Sequence, residues 1–136
     1  MKIVLVSFGK RYVEIQGPAF EVDTWLEDPV GKLPDKPGTD PEISEALLKD
    51  LGMQAGLEKA KALISEQLEK LKSVSVLVKV VKFYFRCMGG FQRSVVAAEA
   101  IGAWLREQGH EVEVIHLTMD LALALKTGSY LEEEKK

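Results

Sequence analysis

The chain has one cysteine, Cys87, and two histidines, His110 and His116, among its 136 residues. A single thiol excludes an internal disulfide, and one cysteine with two histidines at unrelated spacings makes no metal-ligand set, so neither a metal nor a cofactor is expected. A large excess of charge of one sign is also lacking. Eighteen Lys and Arg against 21 Asp and Glu leave a net charge of -3. The chain therefore has no overall field for nucleic acid, and any contact with a polyanion has to come from a local basic cluster. Long apolar runs are missing as well. VSVLVKVVKFYF spans 12 residues and carries Lys79 and Lys82, well short of the roughly 20 residues that a membrane span needs, so no membrane association is expected. The start MKIVLVSFGK has neither the apolar stretch nor the cleavage site of a secretory signal. A cytoplasmic protein is the expectation. No glycine-rich loop ends in Gly-Lys-Ser or Gly-Lys-Thr, which removes an ATP or GTP site of that kind, and no internal repeat is visible.

What is present suffices for one core. With 46% hydrophobic residues, residues 1–136 are expected to form a single domain, the tail from about 127 to 136 (ending in LEEEKK) being a frayed, solvated end. Lys2 to Val6 (KIVLV) is a continuous, β-branched run of the sort expected in a strand covered on both faces. Lys10 to Asp40 holds four of the five prolines and reads as loop, with Phe20 to Leu26 as a short strand. At Thr39-Asp40-Pro41-Glu42 a capping residue, a proline at the first helical position and an acid in the first turn mark a helix start. Apolar residues keep helical spacing from Ile43 to Leu71, read as two helices with a break near Gly52 to Gly56. Val78 to Arg86 reads as a central strand whose start is blurred by Lys79 and Lys82. Val96, Ala97, Ala100, Ile101, Trp104 and Leu105 mark one face of a helix that Gly109 stops, Glu111 to His116 alternates like a strand, and Asp120 to Lys126 forms a short helix.

Strand, helices, strand, glycine loop, helix, strand is the pattern of an α/β fold: a small, mostly parallel sheet with flanking helices. In open parallel sheets, ligands bind beyond the carboxyl ends of the strands. Those ends carry Ser7-Phe8-Gly9-Lys10-Arg11, Cys87 to Ser94, and His116. Within FRCMGGFQRSV (residues 85 to 95), Gly89 and Gly90 let backbone approach a ligand, and the loop leads Gln92, Arg93 and Ser94 into the first turn of a helix, whose free N–H groups and dipole favour an anion. Arg93 adds a guanidinium fork and Ser94 a hydroxyl, while Lys10 and Arg11 can reach the same place from the first strand. A plain βα turn would use the glycines only to turn the chain.

Cys87 opens an alternative. Cysteine, five intervening residues, then Arg93-Ser94 is the spacing of cysteine-dependent phosphatases, in which a thiolate lies under a loop of N–H groups. Asp28, before Pro29, would then be the acid for the leaving group. Against this, a cysteine ending a strand is commonly a small buried hydrophobe.

Ser7-Phe8-Gly9-Lys10 with Tyr12, Gly38-Thr39-Asp40-Pro41-Glu42, Cys87-Met88-Gly89-Gly90, Arg93-Ser94-Val95, Ala98-Glu99, and Val114 with His116 form a series along the chain. In order and approximate spacing, over about residues 3 to 118, the series resembles the C-terminal domain of the RNase adapter protein RapZ. The resemblance implies an α/β domain that binds an aminosugar phosphate. In full-length members it also implies small-RNA binding, protein contacts and self-association, so a protein partner and a homo-oligomer are expected here. The chain departs from the family pattern at Met88, where the family has Thr, and at Gln92, where it has His. Asp23-Thr24-Trp25-Leu26-Glu27-Asp28-Pro29 is one residue shorter than the family's stretch and lacks its arginine. The chain ends in Glu-Glu-Glu-Lys-Lys rather than a basic cluster, so RNA is the less favoured partner.

Three residues carry bland readings beside functional ones. His116 stands at the ligand edge yet could equally be a satisfied structural histidine, His110 beside Gly109 reads as a helix end, and Trp25 reads as a core or lid aromatic before a stacking platform. The expected function is thus a regulatory or adapter domain that binds a phosphorylated metabolite through Ser7, Gly9, Lys10, Arg11, Cys87, Met88, Gly89, Gly90, Gln92, Arg93, Ser94 and His116. A phosphatase using Cys87, Arg93 and Asp28, and an RNA-binding adapter fragment, are the alternatives.

Overall fold

The computed structural model describes residues 1–27, 33–74 and 76–127. Asp28, Pro29 and the tail beyond Thr127 lie outside the described residues. Strand β1 (Lys2–Gly9) pairs in parallel with β3 (Val80–Cys87) on one side and β4 (Val112–His116) on the other. The very short β2 (Phe20–Glu21) adds to the outer side of β3, which gives an all-parallel sheet in the order β2-β3-β1-β4. The α/β class and the parallel sheet are as expected. Gly9 stands opposite Cys87 and Ser7 opposite His116, so the three ligand-edge segments do meet at one end of the sheet.

Helices α1 (Pro41–Leu48), α2 (Leu51–Leu71) and α3 (Arg93–Glu107) bury their apolar stripes against one sheet face. Ile3, Leu5 and Phe85 meet Ile43, Leu47, Met53, Ile64, Ile101 and Leu105 there. Burial of side chains this large stabilises by about 1.5–3 kcal/mol each relative to exposure. Val4, Val6 and Phe8 point to the opposite face and are also buried, Phe8 beneath the edge of the Tyr84 ring and the Arg86 guanidinium. That arginine pairs with Glu21. Helix α4 (Met119–Thr127) follows β4 at the carboxyl end.

Three expectations need correction. The break between α1 and α2 falls at Lys49 and Asp50, not at the glycines: the Asp50 carboxylate accepts from the Met53 N–H at 2.8 Å and starts the second helix. Gly52 and Gly56 lie inside α2 because any Cβ there would overlap the Trp25 carbonyl or indole. They admit Trp25 to the core surface, which settles that residue as a packing aromatic stacked edge-on to Phe20. The expected strand from Phe20 to Leu26 shrinks to two residues followed by a 3-10 turn at Val22–Thr24. Finally, β3 is an interior strand as expected, but it spans Val80–Cys87 rather than Val78 to Arg86 and is flanked on both sides only at its carboxyl end. Its partner on the outer side spans Phe85 and Arg86 alone, so β1 is the strand flanked on both sides.

Candidate functional site

Beyond the ends of β1 and β3 the backbone is stitched together before any side chain acts. The Lys10 N–H donates to the Cys87 carbonyl and the Arg11 N–H to the Met88 carbonyl, both at 3.0 Å, and the Gly38 N–H donates to Phe91 at 2.8 Å. Gly90 turns the loop with a φ of 61°, and a Cβ there would collide with the Gly9 nitrogen and the Thr118 hydroxyl. A Cβ at Gly9 would in turn collide with Gly89 and Gly90 backbone. The two glycine segments are in direct contact, as only residues without side chains permit. Gly89 has open space where its side chain would stand and faces a cavity.

That cavity has a volume of about 570 Å³. Arg11 and Tyr12 line it from the segment after β1, Cys87 to Gly89 with Phe91, Gln92 and Arg93 from the loop and the start of α3, Asp23, Leu33 and Asp35 from the long connection, and Ala122 and Leu125 from α4. Among the described residues its cations are Arg11 and Arg93. Arg93 Nη1 forms an ion pair with Asp23 Oδ1 at 2.8 Å, while no carboxylate among the described residues pairs with Arg11. The first turn of the fifteen-residue α3 opens on the same loop, and the side chain of its cap residue, Gln92, makes no capping bond. The Gln92 amide instead donates to the carbonyls of Pro34 and Lys36, each at 2.9 Å, and holds that connection against the loop.

Cys87 is almost wholly buried. Its Sγ accepts the Gly90 N–H and donates to Ser94 Oγ, both at 3.1 Å. Ser94 is fully buried beneath it, so its hydroxyl supports the sulfur and does not line the cavity. Of the other expected residues, Arg11, Met88, Gly89, Gln92 and Arg93 line the cavity, and Gly9 and Gly90 shape its wall. Lys10 turns aside toward Glu21, 3.9 Å away.

Ser7 and His116 form a separate cluster. The fully buried Ser7 hydroxyl lies 2.6 Å from His116 Nδ1, and His116 Nε2 lies 3.1 Å from Glu99 Oε2. A carboxylate only accepts, so Nε2 donates to Glu99, and in the neutral ring Nδ1 accepts the Ser7 proton. Neither residue lines the cavity. Asp35, Thr118 and the α4 residues were not among the residues expected at the site, and Asp23 was named only as the start of the stretch that departs from the family pattern. Asp23 and Arg93 are 70 residues apart, and nothing local to either announces the pair.

Among the described residues no group of three or more His, Cys, Asp or Glu could hold a metal ion, and no helix is long and apolar enough to cross a membrane. Comparison with curated proteins returns no match. The family model for the RapZ C-terminal domain matches residues 1–120, from the first residue of the chain to the first turn of α4. Ala122 and Leu125, which also line the cavity, lie beyond that match. The order of strands, the contact between Gly9 and Gly90 and the loop from Cys87 to Ser94 all fall within it, and the chain belongs to the RapZ C-terminal domain family.

Proposed function

We propose that this chain is a regulatory or adapter domain that binds a phosphorylated small molecule of the aminosugar-phosphate kind in the cavity at the carboxyl edge of its sheet. Family membership supports the regulatory or adapter role. The observation that carries the ligand class is the convergence of Arg11, Arg93, Gly89 and the first turn of α3 on one cavity. A guanidinium has five N–H donors, so Arg93 can keep Asp23 on one nitrogen and still present donors to a phosphate. The carboxylates of Asp23, held at Arg93, and of Asp35 line the same cavity and suit a ligand that also carries an ammonium group. The same reading takes residues 1–136 as one domain that self-associates and contacts a protein partner.

The test is a thermal-shift screen with aminosugar phosphates, plain sugar phosphates and nucleotides. A ligand at 100 times its dissociation constant adds about 2.7 kcal/mol of stability. An aminosugar phosphate is expected to give the largest shift. Arg93→Ala removes a charge-assisted bond of roughly 1.5–3 kcal/mol and should weaken binding by at least tenfold. Stabilisation by no phosphorylated compound, or equal stabilisation of wild type and Arg93→Ala, would sink the reading.

A second reading, a cysteine-dependent phosphatase, is favoured by one observation. The Gly90 N–H donates to Cys87 Sγ at 3.1 Å, and Ser94 Oγ, which accepts from the thiol at 3.1 Å, can turn its own proton to the sulfur once the thiol is ionised, the support that a thiolate nucleophile receives. Its acid, Asp28, lies outside the described residues.

A further inference from the structure

The outer side of β3 is a strand position only half filled. β2 occupies it beside Phe85 and Arg86 alone, leaving Val80 to Tyr84 with no strand partner there among the described residues. The Lys2 N–H bonds the Lys79 carbonyl and the Lys10 N–H bonds the Cys87 carbonyl. Odd-numbered residues of β3 therefore turn their backbone groups toward β1, and Val80 and Lys82 turn theirs outward. Along this edge runs a second cavity of about 530 Å³, floored by Val81 and Phe83 and walled by Leu63 and Leu71 of α2 and by Pro18, Ala19 and Phe20, the segment that leads into β2 and bounds the lane at its Tyr84 end. Among the described residues its lining is apolar apart from Gln67, Lys82 and Tyr84 and includes no carboxylate.

Outward backbone groups, an apolar trough and the line of β2 together describe a lane for one more strand. We propose that Val80–Tyr84 takes up an extended, acidic segment of a protein partner by strand addition. Five residues of lane correspond to about 17 Å of added strand. Charge selects the occupant. Lys79 and Lys82 are exposed and absent from every ion pair among the described residues, as are Lys49 and Lys59, but Lys79 and Lys82 are the two that stand along this strand. A second copy of this chain laid edge to edge would set lysine against lysine, the arrangement by which natural edges repel themselves. An acidic segment would instead meet Lys82. Because side chains alternate across a strand, its acids would lie on the Lys82 face while its other residues enter the trough beside Phe83 and Leu63.

The experiment uses the full chain with two synthetic heptapeptides, one alternating glutamate and valine, the other alternating lysine and valine. Hydrogen exchange and binding are read at low salt. The glutamate peptide is expected to protect the amides of Val80 and Lys82 and to bind at least tenfold tighter than the lysine peptide. Lys82→Glu is expected to reverse that preference with an unchanged thermal midpoint. Three results overturn the proposal: no protection of these amides by the glutamate peptide, a preference unaltered in Lys82→Glu, or protection that rises with chain concentration in the absence of peptide, which would give the lane to a second copy.

Discussion

Between β1 and β3 the carboxyl edge of the sheet opens into a cavity with two arginines on its wall, whereas between β1 and β4 the same edge is closed by Ser7, His116, Glu99 and Thr118. Both halves are built from polar residues at strand ends, the position where ligands are sought in such sheets. What separates them is how far hydrogen-bonding capacity is met from within. On the closed side both ring nitrogens of His116 have protein partners, and Thr118 accepts the Gly9 N–H at 2.9 Å. On the open side Arg93 has one carboxylate for five donors, and no described carboxylate pairs with Arg11. Position at the edge makes a residue a candidate, and unfilled valence decides which candidates remain.

The largest effect is expected where the halves join. Gly90 holds a left-handed φ of 61° and packs on Gly9 from one half and Thr118 from the other. Gly90→Ala adds the penalty of that conformation, about 1–2 kcal/mol, to an overpacking cost of about 1–3 kcal/mol. Urea denaturation should show a loss of roughly 2–5 kcal/mol on that basis. Gly89→Ala is its counterpart. A Cβ there meets nothing, so stability should stay near the wild-type value while phosphosugar affinity falls as the methyl enters the cavity. Equal stability losses for the two variants would erase the distinction between wall and lining.

Ser7→Ala comes next and probes the closed half alone. It deprives the largely buried His116 Nδ1 of its partner, which costs about 1–3 kcal/mol. Ligand affinity should hold within about threefold, a change below ~0.7 kcal/mol. An affinity loss as large as that of Arg93→Ala would mean that the edge works as one site and that the two halves are not separate.

How much of this was legible depended on the range of each signal. Asp40-Pro41 at the start of α1, Gly109 at the end of α3 and the β-branched run of β1 are local instructions, and each element appears where its residues put it. The loop was legible because its glycines, its arginine and its helix start are contiguous. Gly52 and Gly56 were misread as a break because their reason, the indole of Trp25, comes from a distant stretch of chain. The half-open edge of β3 was also hidden: an apolar run announces a strand but not how long its neighbour will be, although Lys79 and Lys82 were its trace. Ser7 and His116, 109 residues apart, were placed at the right edge, but only folding showed that they meet each other and turn away from the cavity.

The smallest expected effect concerns the sulfur that belongs to the open half yet behaves like a member of the closed one. Cys87 lines the cavity, but Sγ already accepts from Gly90 and donates to Ser94, and Phe91 beside it is buried. A serine hydroxyl can accept from the one and donate to the other, so Cys87→Ser preserves the pattern of bonds and loses chiefly size and polarisability. A holder of phosphate needs the loop and Arg93 but not the sulfur, and its affinity should change by less than about tenfold, or ~1.4 kcal/mol. A nucleophile is indispensable: without the thiolate no phosphoenzyme bond can form at this position. Aryl phosphate turnover therefore discriminates directly. Wild-type hydrolysis at background, together with retained ligand affinity in Cys87→Ser, keeps Cys87 with the structural residues. Hydrolysis well above background that vanishes in Cys87→Ser would move the residue across the comparison and make the cavity an active site.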